Sequence, residues 1–324
     1  MSTSLNRIDV HHHIFPPAYL KAAADAGVAD AGGFKFPQSS PELSLALMDR
    51  HGIATAITCV GSPGVHFGNH AAARDLARYC NEYAARFTMD HPNRLGSFAV
   101  LPLPDVDGAL KEIEYALDTL KLDGVNLLTN FNGAYLGDPA FDAVFDELNR
   151  RKATVFVHPE TAPAARDIKL SFPGAMIEFT FDTTRMAANL IFSGTLERCP
   201  DVKIILAHSG GTIPYLAWRI SLFDVMPNAR ENAPQGTLAY LKRLYYETAI
   251  ASNSYALNSL TELVPSSQIL YGSDFPYLPE PLIGAVVQGI DHYPGFDAQV
   301  RAAIERDNAL TLFPRLQSNV AEVR

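Results

Sequence analysis

The chain has 324 residues, of which 48% are hydrophobic and 19% charged, and its formal net charge is −9. This composition predicts a globular protein with a large core, and the acidic balance argues against nucleic acid or an anionic membrane surface as a partner. The three cysteines are widely separated, which fits a reducing, cytoplasmic location without disulfides. We recognise no secretory signal, and no apolar run reaches the ~18 residues that span a bilayer.

The first predicted element is a short buried strand, residues 7–13 (RIDVHHH), which ends in three histidines. Because side chains alternate faces along a strand, His11 and His13 point the same way and His12 points the other. Two imidazoles that converge from one strand end make half of a metal site. A tag or an accidental histidine run is the alternative, but the histidines follow a strand pattern.

The rest of the chain alternates short β-branched runs with longer helical stretches. A loop is predicted over Ala22–Ser40, after which Ser40-Pro41 opens a helix that His51-Gly52 ends. The other predicted strands are Ile53–Val60, Leu95–Val100, Gly124–Leu128, Thr154–Val157, Val202–Ala207, Leu244–Thr248 and Ile269–Tyr271. The other predicted helices are His70–Asp90, Val106–Leu120, Pro139–Arg151, Thr183–Arg198, Thr212–Phe223 and Ser254–Leu263, with an irregular segment over Pro159–Phe181 and a helical remainder after Asp274.

Eight strand–helix units in a chain of this length favour a closed (β/α)8 TIM barrel. The strands are continuously apolar, as expected for parallel strands that are buried on both faces. An open doubly wound sheet is the main alternative, but no glycine-rich phosphate fingerprint follows an early strand. We find no linker, domain break or repeat, so the sequence predicts one domain over residues 1–324 with small insertions and C-terminal helices.

Polar residues stand at the carboxyl ends of four predicted strands: His11 and His13, then His158, His208 and Asp274. In a barrel these ends converge on one face, where active sites are built. A histidine-rich site with one carboxylate suits zinc, and manganese or iron less specifically. His208 could bind the ion or act as an acid–base, and Asp274 could bind it and also move a proton.

This combination resembles the amidohydrolase superfamily, and more narrowly its amidohydrolase-related decarboxylases. The resemblance rests on His11-x-His13, His158-Pro159, Ala207-His208-Ser209-Gly210-Gly211 and Gly272-Ser273-Asp274-Phe275-Pro276. The branch includes decarboxylases of aminocarboxymuconate semialdehyde, γ-resorcylate and 6-methylsalicylate. The segments Leu101–Asp105 and Tyr135–Pro139 look most like the 6-methylsalicylate type.

The resemblance implies one divalent metal ion, Zn²⁺ before Mn²⁺, held by four side chains, with His208 acting on bound water or substrate. The four implied ligands are His11, His13, His158 and Asp274. It also implies that Arg219 holds a substrate carboxylate in a neighbouring subunit's site, and therefore a homodimer or homotetramer. No lysine ends the fourth strand, which argues against a dinuclear site, and no arginine lies at 45–47, which argues against a dicarboxylate substrate.

The sequence therefore predicts a metal-dependent, non-oxidative decarboxylase of a salicylate-like acid, with Asp274 protonating the ring carbon. Phe15 could wall the aromatic ring or simply pack at the barrel top. Glu160 could contact a substrate hydroxyl, although a solvated loop carboxylate is the simpler interpretation. A hydrolase of a lactone, amide or C–C bond that uses metal-bound hydroxide remains the alternative, and an inactive barrel that serves as a scaffold is a third.

Overall fold

A single eight-stranded parallel sheet forms the centre of the computed structural model, which describes residues 6–317. The strands, numbered β1–β8 in chain order, are Arg7–His13, Ile53–Cys59, Leu95–Val100, Gly124–Leu128, Thr154–His158, Lys203–Leu206, Tyr245–Glu247 and Ile269–Leu270. Each strand pairs with the next along the chain. The eight predicted strands are confirmed, and their ends shift by at most one residue.

Hydrogen bonds between β1 and the residues that follow β8 close this sheet into a barrel. The Val10 N–H donates to the Tyr271 carbonyl at 3.0 Å, and the Asp274 N–H donates to the His11 carbonyl at 2.8 Å. His12 also bridges Phe275 in parallel. Closure leaves neither end strand with an unpaired edge. The predicted (β/α)8 barrel is confirmed over the open sheet.

Eight helices, numbered α1–α8, follow the strands in turn. They are Pro41–His51, His70–Asp90, Val106–Glu114, Asp142–Arg150, Ala175–Phe192, Ile213–Ser221, Ser254–Leu263 and Glu280–Asp291. Helix α1 has the predicted boundaries: the Ser40 side chain accepts the Leu43 N–H, and Gly52 ends the helix with φ 67°. The smaller helices are Pro17–Asp25, Pro163–Arg166, Thr195–Arg198, Pro227–Asn232, Thr237–Leu241, Ala298–Ala302 and Asn308–Leu312.

Two local predictions are wrong. The segment Ala22–Ser40 is not all loop, because its first residues complete the helix Pro17–Asp25 and a hairpin pairs Asp30–Ala31 with Phe34–Lys35. The helix predicted over Thr183–Arg198 instead begins at Ala175 and ends at Phe192. Its first turns expose apolar side chains such as Met176 and Phe181, so they lack the one-sided apolar pattern that marks a helix in the sequence.

Aromatic rings pack against one another along the barrel interior, from His11 at the carboxyl end to Phe313 at the amino-terminal end. The Phe156 ring centroid lies 4.8 Å from that of His11 and 5.5 Å from that of Phe98. Phe313, from the segment after α8, packs on Phe98 at 5.9 Å. This segment covers the amino-terminal end of the barrel, where the Thr154 hydroxyl donates to the Leu312 carbonyl. No helix within residues 6–317 is long and apolar enough to cross a membrane.

Candidate metal centre

Five side chains meet at the carboxyl end of the barrel, and they are the five that strand order predicted: His11, His13, His158, His208 and Asp274. Donor atoms of the first three lie within 4.8 Å of one another, and so do donor atoms of His11, His208 and Asp274. The His13 Nε2 atom is 3.0 Å from Asp274 Oδ1 and 3.0 Å from His11 Nε2. Ligands of a tetrahedral ion with bonds of about 2.0 Å are separated by about 3.3 Å, so these spacings fit one ion.

Three of the four histidines, His11, His13 and His158, direct Nε2 into the cluster. The Nδ1 atom of each has a partner outside the cluster. His11 Nδ1 pairs with Glu247 Oε1 at 2.8 Å, and His158 Nδ1 donates to the Pro159 carbonyl at 2.7 Å. His13 Nδ1 lies 3.5 Å from the Cys59 sulfur. Partners of this kind fix the tautomer and ring orientation of metal-binding histidines.

Burial sets the charge state of the cluster. It lowers the pKa of His11 and of His158 well below the ordinary histidine value, so both rings are neutral, as metal binding requires. Burial also opposes ionisation of Asp274, but the neighbouring His11 and hydrogen bonds from His13 and His208 hold the pKa of Asp274 well below its usual range. The cluster therefore offers neutral nitrogens and an anionic oxygen.

His208 lies on the opposite side of the Asp274 carboxylate from His11 and His13. Its Nε2 atom is 3.4 Å from Asp274 Oδ2, whereas Oδ1 faces His11 and His13. Burial alone would lower the pKa of His208, but the hydrogen bond with Asp274 and the charges of Asp274 and Glu247 together outweigh it, and the pKa is raised. One carboxylate thus connects the metal-binding candidates His11 and His13 with a histidine that binds a proton readily.

The backbone at this end of the barrel is strained where the candidate groups are held. His208 has φ 54° and Asp274 has φ 57°, in the left-handed region that residues other than glycine seldom adopt. Such conformations occur mainly at functional sites, where the surrounding structure imposes them. Glycine at position 61 lets the backbone pass close to the His13 ring, because a Cβ atom there would stand 2.6 Å from His13 Cε1.

Glu247 is a buried carboxylate at the end of β7 that sequence reasoning missed. It accepts from the backbone N–H groups of His208 and Ala249, both at 2.6 Å, and it contacts His11 Nδ1. Burial raises the pKa of Glu247 to about 7. Glu247 is a polar residue at the end of its strand, which is the signal that identified His158. Two tyrosines precede Glu247, so the apolar run before it is less clear.

Asp9 is a second buried carboxylate that the sequence did not single out. Its oxygens accept from the backbone N–H of His11 at 3.1 Å and of Ser273 at 2.9 Å, and they contact His12 Nδ1 at 3.0 Å. The opposite nitrogen of His12 lies 2.9 Å from the Ser44 hydroxyl, away from the cluster. Asp9 therefore ties β1 to the segment that carries Asp274, and His12 belongs to this network, as strand alternation predicts.

A cavity of about 930 Å³ opens at the carboxyl end of the barrel, between loops that follow β1, β2, β4 and β5. The cluster side chains do not line it; Glu160, His66, Arg166 and Lys169 do. Glu160 is only 7% exposed and accepts a hydrogen bond from the Ser62 hydroxyl. The interpretation of Glu160 as a solvated loop carboxylate is therefore wrong.

The two predicted substrate-binding residues lie in different surroundings. Phe15 is 3% exposed, and its ring stacks on His13 with centroids 6.1 Å apart and packs on Tyr277 at 5.4 Å. Arg219 is exposed on α6, and the described residues make no hydrogen bond or ion pair with its side chain. Phe15 thus supports His13 directly, whereas Arg219 is not brought to the cluster of its own chain.

The closed barrel and the histidine–aspartate cluster at its carboxyl end define a (β/α)8-barrel enzyme. The chain belongs to the amidohydrolase family, whose model matches residues 8–315. The predicted resemblance to the amidohydrolase-related decarboxylases is confirmed by the relatives that follow.

Decarboxylase YanB of Aspergillus niger is 41% identical over 327 residues, which cover 97% of this chain and 89% of that protein. The 6-methylsalicylic acid decarboxylase of Penicillium expansum is 36% identical over 316 residues, which cover 96% and 97%. A solved amidohydrolase II structure superposes with a TM-score of 0.90 at 29% identity, covering 95% of this chain and all of that one.

Proposed function

We propose that this protein is a metal-dependent, non-oxidative decarboxylase of a salicylate-like hydroxybenzoic acid. Two observations support the proposal. Relatives named as decarboxylases align with nearly the whole chain at 36–41% identity, and the Asp274 carboxylate faces the metal-binding candidates with one oxygen and His208 with the other. The second observation carries the mechanism, because it connects a metal site to a proton source.

One divalent ion would be held by His11, His13, His158 and Asp274. The fit rests on the 3.0 Å spacing of His13 Nε2 to His11 Nε2 and to Asp274 Oδ1, and on the His158 donor atom within 4.8 Å of both histidines. Nitrogen-rich ligands with one carboxylate favour Zn²⁺, and Mn²⁺ is the second choice. Metal analysis of protein purified without added metal, before and after dialysis against a chelator, tests both the site and its preference.

Decarboxylation requires a proton at the ring carbon that loses CO2. When bound, the ion would withdraw charge from the acid and orient it. His208 would pass a proton across the 3.4 Å contact to Asp274 Oδ2, and Asp274 would deliver it to the carboxylate-bearing carbon. The C–C bond to the carboxylate then breaks, its electron pair restores the aromatic ring, and CO2 leaves. No oxidant or reductant takes part.

A panel of hydroxybenzoates and small lactones, assayed with the metal-loaded protein, tests this function. We expect CO2 release from an ortho-hydroxybenzoate with formation of the corresponding phenol. Consumption of water with retention of the carboxylate in the product would support the hydrolase of a lactone, amide or C–C bond instead. Carbon dioxide and product are both measured, so the two reactions are separated in one experiment.

We also propose that the protein forms a homodimer or homotetramer through the outer face of α6. Tyr215 is 84% exposed and Trp218 is 71% exposed on this helix, and Leu222 continues the apolar surface at 55%. Aromatic side chains of this size are typical of buried interface centres. Arg219 lies within this surface, so association could carry it to a partner's site. Light scattering should show at least a dimer.

Arg219→Ala tests the substrate-binding role in that assembly. We expect a higher KM for a carboxylate substrate, whereas Arg86→Ala, which removes an exposed arginine from α2, should leave KM unchanged. An unchanged KM in Arg219→Ala would remove the assignment.

The cytoplasmic location stays a prediction, supported by three buried cysteines without disulfides.

A further inference from the structure

Tyr277 carries a buried hydroxyl that no described residue satisfies. It follows Asp274 by three positions, and its oxygen has no hydrogen-bond partner among the described residues, although it is shielded from solvent. A buried donor without a partner costs about 1–3 kcal/mol. A buried group of this kind calls for a partner such as a water molecule, an ion or a ligand.

The Tyr277 ring packs against His13 of the cluster, and two carboxylates that act on its phenol line the cavity. Its centroid is 5.2 Å from that of His13 and 5.4 Å from that of Phe15, edge-on to both. The charged groups that act on the phenol are Asp274 of the cluster together with Asp30 and Glu160 of the cavity. Burial, more than these charges, raises the pKa of Tyr277, so the hydroxyl remains a neutral donor.

An aromatic acid at this site presents a carboxylate that a hydrogen-bond donor of the same chain could orient beside the bound ion. The hydrogen bonds and ion pairs of the cluster involve no lysine or arginine among the described residues. Arg166 lines the cavity, but it is half exposed and its guanidinium is 3.6 Å from Glu160. Lys169 is exposed and Arg219 lies on the outer face of α6.

We propose that the Tyr277 hydroxyl donates a hydrogen bond to the carboxylate of the bound aromatic acid. The inference rests on the proposed function and extends it by naming a substrate-binding residue and the group that it recognises. The neutral hydroxyl orients the carboxylate through one hydrogen bond and adds little attraction to its charge. This is an advantage, because the carboxylate loses its charge as CO2 leaves, and attraction to that charge would not increase kcat.

The test compares two ligands that differ only in the carboxylate, salicylate and phenol. Their dissociation constants for the zinc-loaded protein are measured by titration calorimetry, with CO2 release monitored to exclude turnover. In Tyr277→Phe we expect salicylate to bind about 10–100-fold more weakly, as for loss of a hydrogen bond to a charged group, and phenol to bind as before. Zinc content should be unchanged.

Tyr271→Phe is the matched control, because it removes another buried hydroxyl without a described partner. This phenol is influenced by Asp9, Arg7, Glu305 and Glu247 rather than by the cavity carboxylates Asp30 and Glu160, so neither dissociation constant should change. Unchanged salicylate affinity in Tyr277→Phe would overturn the inference, and so would an equal weakening of both ligands or a loss of zinc. If the wild type binds salicylate but decarboxylates no hydroxybenzoate, the proposed function fails while the Tyr277 contact stands.

Discussion

The two ends of the barrel use buried residues in opposite ways. The carboxyl end buries ionisable groups such as His11, Glu247 and Asp274 and holds residues such as His208 and Asp274 in left-handed conformations. The amino end buries Phe98 and Phe313 and holds charges in partly buried ion pairs such as Arg7–Glu305. Burying charge is costly unless it is paired or neutralised. We therefore expect substitutions at the carboxyl end to lower turnover, and substitutions at the amino end to lower the free energy of unfolding.

Asp274→Asn should have the largest effect, and it should act on turnover rather than on folding. The amide cannot transfer a proton and supplies no charge to a metal ion, so we expect kcat to fall by about 10²–10⁴-fold or more. Substrate consumption and CO2 release measure the loss, and Asp90→Asn on the exposed end of α2 is the control. Near-normal turnover would remove Asp274 as the proton donor.

Phe313→Ala should show the reverse pattern. It removes a ring that is 1% exposed and packs on Phe98 at 5.9 Å, so we expect the free energy of unfolding to fall by about 3–5 kcal/mol. The kcat of the remaining folded protein should be unchanged. Urea unfolding and active-site titration measure the two quantities, with Phe34→Ala, 39% exposed, as control. A large change in kcat would mean that the two ends are coupled.

Glu247→Gln should weaken metal binding without removing it. Gln keeps an acceptor for His11 Nδ1 but loses the negative charge that raises the basicity of this ring. Loss of such a partner typically costs 10–100-fold in metal affinity or activity. Competition with a chromogenic chelator measures the affinity, and Glu262→Gln, on the exposed face of α7, should bind metal normally. An unchanged affinity would reduce Glu247 to a packing role.

The sequence predicted the strands and the cluster because both follow one local rule, an apolar run stopped by a polar residue. His158 and Asp274 obey it plainly. Glu247 obeys it less plainly, since two tyrosines precede it, and Asp9 lies inside its strand, so its role depends on Ser273 from the other end of the chain. The start of α5 at Ala175 was missed because its exposed apolar residues give no one-sided pattern. The position of Tyr277 against His13 depends on barrel closure, which no local pattern encodes.

Asp105 tests the comparison of the two barrel ends. It is a buried carboxylate near the carboxyl end, but we expect it to contribute to folding and not to turnover. It caps α3 by accepting the Gly108 N–H at 3.2 Å, and it pairs with Arg74. The hydrogen bond from Arg74 holds the pKa of Asp105 at about 2, below its ordinary value of 3.8. Since the folded pKa is depressed, this stabilisation is complete above about pH 4 and is lost as the pH falls through 2.

Asp105→Asn should therefore lower the free energy of unfolding by about 1 kcal/mol at pH 7 and by less at pH 3, because the wild type loses part of its advantage there. The kcat should not change. Urea unfolding at the two pH values measures the difference, and Asp107→Asn, an exposed acid in the same first turn, is the matched control. An equal loss at both pH values would show that the carboxylate charge contributes nothing beyond the cap. A fall in kcat would show that burial at this end of the barrel does not by itself distinguish structural from functional carboxylates.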